Sequence, residues 1–460
     1  MYGMPLAQAL VFLTSVVVLI LATQWRPFHP FIMLVVIAAV FGYIAGYPTS
    51  QLGSLFGSGF AEKFYSPGLV IVAASLIAGL AETTAAADRL MAKLDRWRWL
   101  GSDRIAAGLG LIAGIGASPA SAFALLTPLI RPIAGDGQSQ ERDAERNTQR
   151  DTLALALSVS ASHGLLLLSP VPIAAAAIIG AEWNRVALFG LPLAILLAAC
   201  GAILARWLSL VGAAPELLPA GTFDGAAKRS DGNPIVLLLA IAIPLLLLMV
   251  QSIGDIPSEP LGGGPTRELV LGIGRPLILF LVGVGVMLIG QLRRGLNLFA
   301  DPVWTGRIFS SVSSILLIVC AAGGLQSLCQ QTGMAEMVGE RLLAWHLGAS
   351  GVLIPFLIAA IMKTLQGSSL VAAITTAGMV QPILLTLGLD DGNGRALAAL
   401  AVGAGAMTIS HINDDYFWLV ADRAALTPLR AIARFSTGTL LQGLVAAVAL
   451  LAISLLTSHA

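Results

Sequence analysis

Apolar runs long enough to cross a bilayer recur along the whole chain. Each covers about 20 residues, the length that an α-helix needs to span a hydrocarbon core about 30 Å thick. Short segments rich in glycine, proline and charged residues separate the runs. The first run, Leu6 to Ala22, has no basic residue before it and no small-residue cleavage site after it, so we interpret it as a retained membrane helix. The pattern predicts an all-α integral membrane protein.

Composition agrees with a lipid environment. Of the 460 residues, 57% are hydrophobic and 11% are charged, too few charges to cover the surface of a soluble protein of this size. The net charge of +1 gives no indication of a nucleic-acid partner. The three cysteines match no zinc or redox spacing, and we expect free thiols, no metal ion and no cofactor. No HExxH or GxSxG motif occurs, which argues against an enzyme.

Three short signatures occur twice, in the same order and roughly 250 residues apart, which indicates an internal duplication. The pairs are Ala78-Gly79-Leu80 with Gly323-Gly324-Leu325, Gly116-Ala117-Ser118 with Gly367-Ser368-Ser369, and Ser162-His163 with Ser410-His411.

Basic residues then indicate the sidedness of each half. The loops at 88–104 and 131–151 are rich in lysine and arginine, whereas their counterparts at 329–350 and 387–396 hold one arginine each. Short basic loops stay in the cytoplasm. Equivalent loops on opposite faces predict two inverted repeats, an arrangement found in many secondary transporters.

The chain is therefore divided into two repeats joined by a cytoplasmic linker, with about ten transmembrane helices and both termini outside. The first repeat is 1–210, the linker 211–233 and the second repeat 234–460. Each repeat contains a re-entrant hairpin (105–130 and 351–386) and a broken helix (152–180 and 397–421). The mixed acidic and basic run from Gly135 to Asp151 is expected to be a solvated loop.

The hairpins and broken helices are the expected site of function. Unpaired backbone groups are costly in lipid, so non-helical backbone at membrane depth persists only inside protein or along a water-filled cavity. Helix N-termini exposed there carry partial positive charge that favours an anion. The alternative is that glycine and proline only kink packed helices.

The hairpins supply the candidate substrate-binding residues. Glycines let the backbone approach a ligand, and hydroxyls donate to carboxylate or hydroxyl oxygens. The candidates are Ser118, Ser121, Lys363, Gln366, Gly367, Ser368, Ser369, Thr375 and Asn413. Lys363 would offer a fixed positive charge, unless it is a lysine that snorkels to the membrane surface.

The second broken helix contains ionisable residues, which are rare and usually functional inside a membrane. His411 or Asp414 is expected to carry the coupled proton, and His163 holds the matching place in the first repeat. The alternatives are a helix N-cap or a cytoplasmic loop at these acids, and an interfacial aromatic belt at Phe417 and Trp418. Of the two acids, Asp415 is expected to be the one that is merely solvated.

At these residues the chain resembles the gluconate permease family of gluconate:proton symporters. The resemblance covers most of the chain and is carried by Gln366-Gly367-Ser368-Ser369, Thr375-Thr376-Ala377-Gly378, Ser410-His411-Ile412-Asn413-Asp414 and Ser162-His163. It implies a multi-pass symporter of the bacterial inner membrane for gluconate or a related small hydroxy-carboxylate. It also implies a homodimer working as an elevator, in which a scaffold holds a moving transport domain built around the hairpins.

Two departures from the family pattern leave the ligand open. The family's Phe-Phe-Asp-Val-Gly stretch is replaced by Ser118-Pro119-Ala120-Ser121-Ala122, and Asp415-Tyr416 replaces Ser-Gly. A sodium-coupled symporter of another organic anion or an amino acid such as D-serine is therefore the main alternative. A channel and an intramembrane enzyme are more distant ones.

Overall fold

The computed structural model describes residues 14, 29–73, 76–77, 100–114, 119–134, 141–166, 169–210, 233–254, 262, 264–292, 302–332 and 351–457. Over these ranges the chain is helical and contains no strand, so the predicted all-α fold is confirmed there. Several helices begin at a proline, whose fixed φ and missing N–H suit the first helical position.

The helices are numbered here in chain order. They are α1 (Pro30–Ile44), α2 (Thr49–Lys63), α3 (Ser102–Ala113), α4 (Pro119–Ala134), α5 (Glu141–Leu165), α6 (Pro170–Ile179), α7 (Trp183–Leu210), α8 (Pro234–Gly254), α9 (Pro265–Ile273), α10 (Pro276–Leu292), α11 (Pro302–Gln331), α12 (Leu353–Gln366), α13 (Ser369–Val380), α14 (Gly392–Ala406), α15 (Asp415–Arg423), α16 (Pro428–Ala431) and α17 (Thr437–Thr457). A π-helical turn, Phe64–Gly68, continues α2, and a second, Ile432–Ser436, joins α16 to α17.

Four stretches of helix in the described ranges are long and apolar enough to cross a membrane. They are Glu145–Ile179, Trp183–Leu210, Trp304–Gln331 and Pro428–Thr457, and α9 with α10, bent by 60°, would make a fifth. Shorter apolar helices, α12 and α13 among them, accompany these spans. The protein is thus an integral membrane protein, while the count of ten crossings stays a prediction.

The interpretation of the run ending at Asp151 as a solvated loop is wrong where the structure describes it. Helix α5 begins at Glu141 and includes this segment. Gln149 and Asp151 are buried. Gln149 Nε2 donates to the Ala424 carbonyl at 2.9 Å, and Arg150 Nε donates to Asp151 Oδ1 at 2.9 Å. These partners allow polar side chains to lie inside the protein.

The helices pack into two groups. In the α11 group, α11 packs against α1 and α2, while α8, α9 and α10 pack together and reach the Phe64–Gly68 turn. The α14 group contains α3 to α7 and α12 to α17, with α14 packed against α6, α12 and α17. Glycines permit the closest crossings: a Cβ at Gly59 of α2 would overlap the Gly323 carbonyl of α11, and one at Gly403 of α14 the Gly164 carbonyl of α5.

The two groups touch where α15 and α12 pack against α11, and where α4 packs against α8 and the Phe64–Gly68 turn. Each side of this boundary combines helices from both halves of the sequence. Lys63, Lys363, Asp414 and Asp415 lie at or beside it.

Candidate functional site

Two helix interruptions meet in the α14 group. One lies between Gln366 and Ser369, at the junction of α12 and α13, and the other follows Ala406, before α15. Gly367 has a φ of 79°, a conformation that other residues adopt only with strain. A Cβ at Gly367 would also overlap the main-chain oxygen of Asn413. Glycine is therefore what allows the two interruptions to touch.

A buried ion pair joins the interruptions. Lys363 Nζ donates to Asp414 Oδ2 at 2.6 Å and to the Gly367 carbonyl at 2.5 Å. The Ser410 hydroxyl donates to the same carboxylate oxygen at 2.5 Å, and the Tyr416 N–H donates to Asp414 Oδ1 at 3.1 Å. The Lys363 and Asp414 side chains are only 4% and 5% exposed. Lys363 is thus an interior residue and does not snorkel, and Asp414 is both an ion-pair partner and the N-cap of α15.

His411 and Asn413 cap the C-terminal end of α12, where main-chain carbonyls lack helical partners. His411 Nε2 donates to the Thr364 carbonyl at 2.8 Å, and Asn413 Nδ2 donates to the same oxygen at 3.0 Å. The Asn413 side chain is buried, and its Oδ1 atom accepts no hydrogen bond from the described residues. An unpaired buried acceptor is costly, so Asn413 Oδ1 is suited to a ligand donor such as a hydroxyl.

The other residues predicted on the second hairpin lie around the contact between the two helix interruptions. Gln366 is buried at the end of α12, and the Ser368 hydroxyl caps α13 by accepting from the Val371 N–H at 3.3 Å. Ser369 and Thr375 are half-buried on α13.

Of the residues predicted on the first hairpin, Ser121 is buried on α4, the helix whose Phe123 ring packs edge to face against Tyr416 at 5.5 Å. Ser118 lies outside the described residues.

In the described residues, the interruption that follows Leu165 contacts the end of α3. The Ser162 hydroxyl donates to the Leu111 carbonyl at 2.7 Å, and the Ser169 hydroxyl donates to the Gly114 carbonyl at 3.1 Å. His163, next to Ser162, is buried in this neighbourhood. The Tyr416 hydroxyl donates to the Ala156 carbonyl at 2.9 Å and so ties α15 to α5.

The expectation that Asp415 is merely solvated is wrong. Its side chain is 13% exposed, and Oδ1 lies 3.6 Å from Lys63 Nζ on α2. The interfacial-belt alternative for the aromatic pair also fails, because Phe417 and Trp418 are buried and the Trp418 indole N–H donates to the Ile412 carbonyl at 2.8 Å.

Lys63 is the charged residue that the sequence analysis missed. In the sequence, Lys63 stands out only as a lysine inside a glycine-rich and aromatic segment. This local pattern does not indicate that its partner is Asp415, far along the chain. With Lys63, the site contains two lysines and two aspartates where α2, α12 and α15 approach one another.

Comparison with known proteins finds membrane permeases that match nearly the whole chain. A gluconate permease of Pseudomonas aeruginosa is 27% identical, with 99% of each chain aligned. The D-serine transporter DsdX of Escherichia coli K12 is 26% identical over 94% of this chain and 95% of its own length. A low-affinity gluconate transporter of the same strain is 24% identical over 94% of this chain and 95% of its own length.

The fold and these relatives define the chain as a membrane permease and not an enzyme. The model of the GntP family permeases matches residues 5–456. The chain belongs to this family, as the motifs around Gln366 and Ser410 indicated.

Proposed function

We propose that this permease is a secondary active transporter that carries gluconate or a related small hydroxy-carboxylate together with a proton across the bacterial inner membrane. The observation that carries the proposal is the buried Lys363–Asp414 pair beside the unpaired Asn413 Oδ1. Lysine and hydroxyl donors suit a carboxylate, and the Asn413 acceptor suits a substrate hydroxyl. The names of the gluconate-transporting relatives support this substrate class.

The coupled proton is proposed to bind an ionisable group at the helix interruptions, the candidates from the sequence being His163, His411 and Asp414. Ionisable groups held inside a membrane protein commonly serve as proton relays. Loading a proton with the substrate offsets the negative charge of the carboxylate, so the complex that moves carries less net charge.

The proposed movement is alternating access by an elevator. The α11 group would act as the scaffold and the α14 group, which contains both hairpin regions, as the moving transport domain. Two inverted repeats and a homodimer complete this proposal. The division of the helices into two groups supports it, since each group draws on both halves of the chain.

The test is uptake of labelled gluconate into proteoliposomes with an inside-alkaline pH gradient. We expect accumulation that a protonophore abolishes and that unlabelled hydroxy acids reduce by competition. If the wild-type protein accumulates no gluconate under this gradient, the proposed substrate or coupling ion is wrong.

A sodium-coupled symporter of another organic anion or an amino acid is the second candidate. Its support is the D-serine transporter of E. coli, which matches this chain nearly as well as the gluconate permease does. Uptake of labelled D-serine or gluconate that requires a sodium gradient and ignores the pH gradient would favour this candidate.

A further inference from the structure

The contact between Lys63 and Asp415 differs from the buried pair next to it. It joins α2 of the α11 group to α15 of the α14 group, and its atoms are 3.6 Å apart. Both side chains remain partly accessible, at 16% for Lys63 and 13% for Asp415. The stem of Lys63 lies against Gly323 of α11, where a Cβ would displace it. The ammonium group is thus held at the boundary of the two groups, within reach of a small solute.

Protonation of Asp415 weakens fewer interactions than protonation of Asp414 does. Protonating Asp414 would weaken a 2.6 Å ion pair and a 2.5 Å hydrogen bond from Ser410, at the carboxylate that also caps α15. Protonating Asp415 would weaken a 3.6 Å contact to Lys63 and a hydrogen bond from a backbone N–H. A carboxylate with fewer donors gives up its negative charge more readily.

The charges around Asp415 explain why an anion would need that proton. Lys63 and Lys363 attract the negative charge of the Asp415 carboxylate, and Asp414 repels it. The Cys320 thiol of α11 also lies in the electric field of Asp415. Glu62 is 3.9 Å from Lys63 but is 74% exposed. The charges of Lys63, Lys363, Asp414 and Asp415 sum to zero. A monoanion entering this cluster would leave an excess negative charge in a poorly solvated place, whereas a proton on one aspartate restores neutrality.

We infer that Lys63 and Asp415 form an exchange pair, in which Asp415 takes the coupled proton and Lys63 then binds the substrate carboxylate in its place. The inference rests on the proposed symport, adds Lys63 to its site, and makes Asp415 the proton carrier in place of His163, His411 and Asp414. A proton from water on the loading side binds the Asp415 carboxylate, and Lys63 stays an ammonium. The substrate carboxylate then replaces Asp415 as the ion-pair partner of Lys63. On the other side, the substrate and the proton both leave to water, and the ion pair forms again when the empty α14 group has returned.

The exchange also loosens the boundary between the two helix groups. While Lys63 and Asp415 are paired, their attraction opposes separation of α2 from α15. A neutral Asp415 and a substrate-bound Lys63 remove that attraction at the moment of loading. Binding of both ligands thus removes one attraction that holds the two groups in this arrangement.

The experiment measures binding with the purified full-length protein, by the shift in melting temperature as gluconate is titrated between about pH 5.5 and about pH 8. Wild-type protein is expected to bind gluconate more tightly at the lower pH. Asp415→Asn mimics the protonated acid and should bind tightly at both pH values. Lys63→Gln should weaken binding by roughly tenfold or more at both, because it removes the cation.

Glu62→Gln is the matched control, since it removes the exposed acid beside the same lysine and should keep the wild-type pH dependence. Lys63→Arg, which preserves the charge, should keep measurable binding. The inference is overturned if Asp415→Asn shows the wild-type pH dependence or if Lys63→Gln binds as the wild type does.

A substrate error in the proposed function gives a different result. If the wild-type protein fails to bind gluconate, the same titration is run with glycerate and D-serine, which also carry a carboxylate. A carboxylate that binds wild-type protein but not Lys63→Gln supports the exchange pair and corrects only the substrate. If none of the three binds, both the proposed function and the exchange pair are wrong.

Discussion

At the scale of single residues, burial decides what an ion pair contributes. Lys363–Asp414 has an N–O distance of 2.6 Å and side chains about 5% exposed. Lys363→Met leaves Asp414 without its counter-ion in a place where water cannot replace it. We expect the free energy of unfolding to fall by about 3–5 kcal/mol. The measurement is thermal or denaturant unfolding of the purified protein in detergent.

The control is a pair of the same length at the surface. Arg395 Nη2 lies 2.6 Å from Asp390 Oδ1, but these side chains are 32% and 45% exposed. Asp390→Asn is expected to cost at most about 1 kcal/mol, since solvent screens the charges. Equal losses for Lys363→Met and Asp390→Asn would show that burial is not what makes Lys363–Asp414 important.

At the scale of helical elements, one glycine sets the junction between α12 and α13. Gly367→Ala places a Cβ against the Asn413 carbonyl and strains a φ of 79°. We expect a loss of stability above about 1 kcal/mol and a matching loss of gluconate uptake. Gly378→Ala, on α13 with open space around it, is the control and should be neutral or stabilising. Unchanged uptake by Gly367→Ala would mean that the two interruptions need not touch.

A second glycine sets how closely α5 and α14 cross. A Cβ at Gly403 would overlap the Gly164 carbonyl, and both helices are closely packed there. Gly403→Ala should lower the melting temperature and slow uptake, because the helices must separate to accept the methyl group. Gly108→Ala on α3, where the added methyl group would meet no described atom within 4 Å, is the matched variant and should leave both readouts near wild type. A Gly403→Ala protein as stable as Gly108→Ala would contradict the close crossing.

The sequence predicts helix interruptions better than it predicts their partners. Glycine and serine residues near Gly367 and Ser410 mark places where helices end, because these residues change local backbone geometry. The Lys363–Asp414 contact spans 51 positions and depends on packing that no local pattern encodes. The early start of α5 was missed because its first turns are charged. Further along the helix Gln149 is buried, and its partner, the Ala424 carbonyl, is distant in sequence.

At the scale of the whole molecule, the two helix groups make the elevator testable. Leu125 of α4 and Leu279 of α10 lie in one buried cluster across the boundary between the groups. After replacement of Cys200, Cys320 and Cys329, the variant Leu125→Cys/Leu279→Cys would place two thiols in this cluster, which copper phenanthroline can oxidise to a disulfide. We expect the crosslink to stop counterflow exchange of labelled gluconate in proteoliposomes, since the α14 group could no longer shift against the α11 group.

The control is a crosslink between two helices of the same group. His29 Nε2 and Ser314 Oγ are 2.8 Å apart at the contact of α1 with α11, both in the α11 group. His29→Cys/Ser314→Cys, treated in the same way, should keep its exchange activity, because a rigid scaffold tolerates an internal tie. If the Leu125/Leu279 crosslink leaves counterflow intact, transport does not require the groups to slide, and smaller movements of α12 to α15 around Asn413 become the better mechanism.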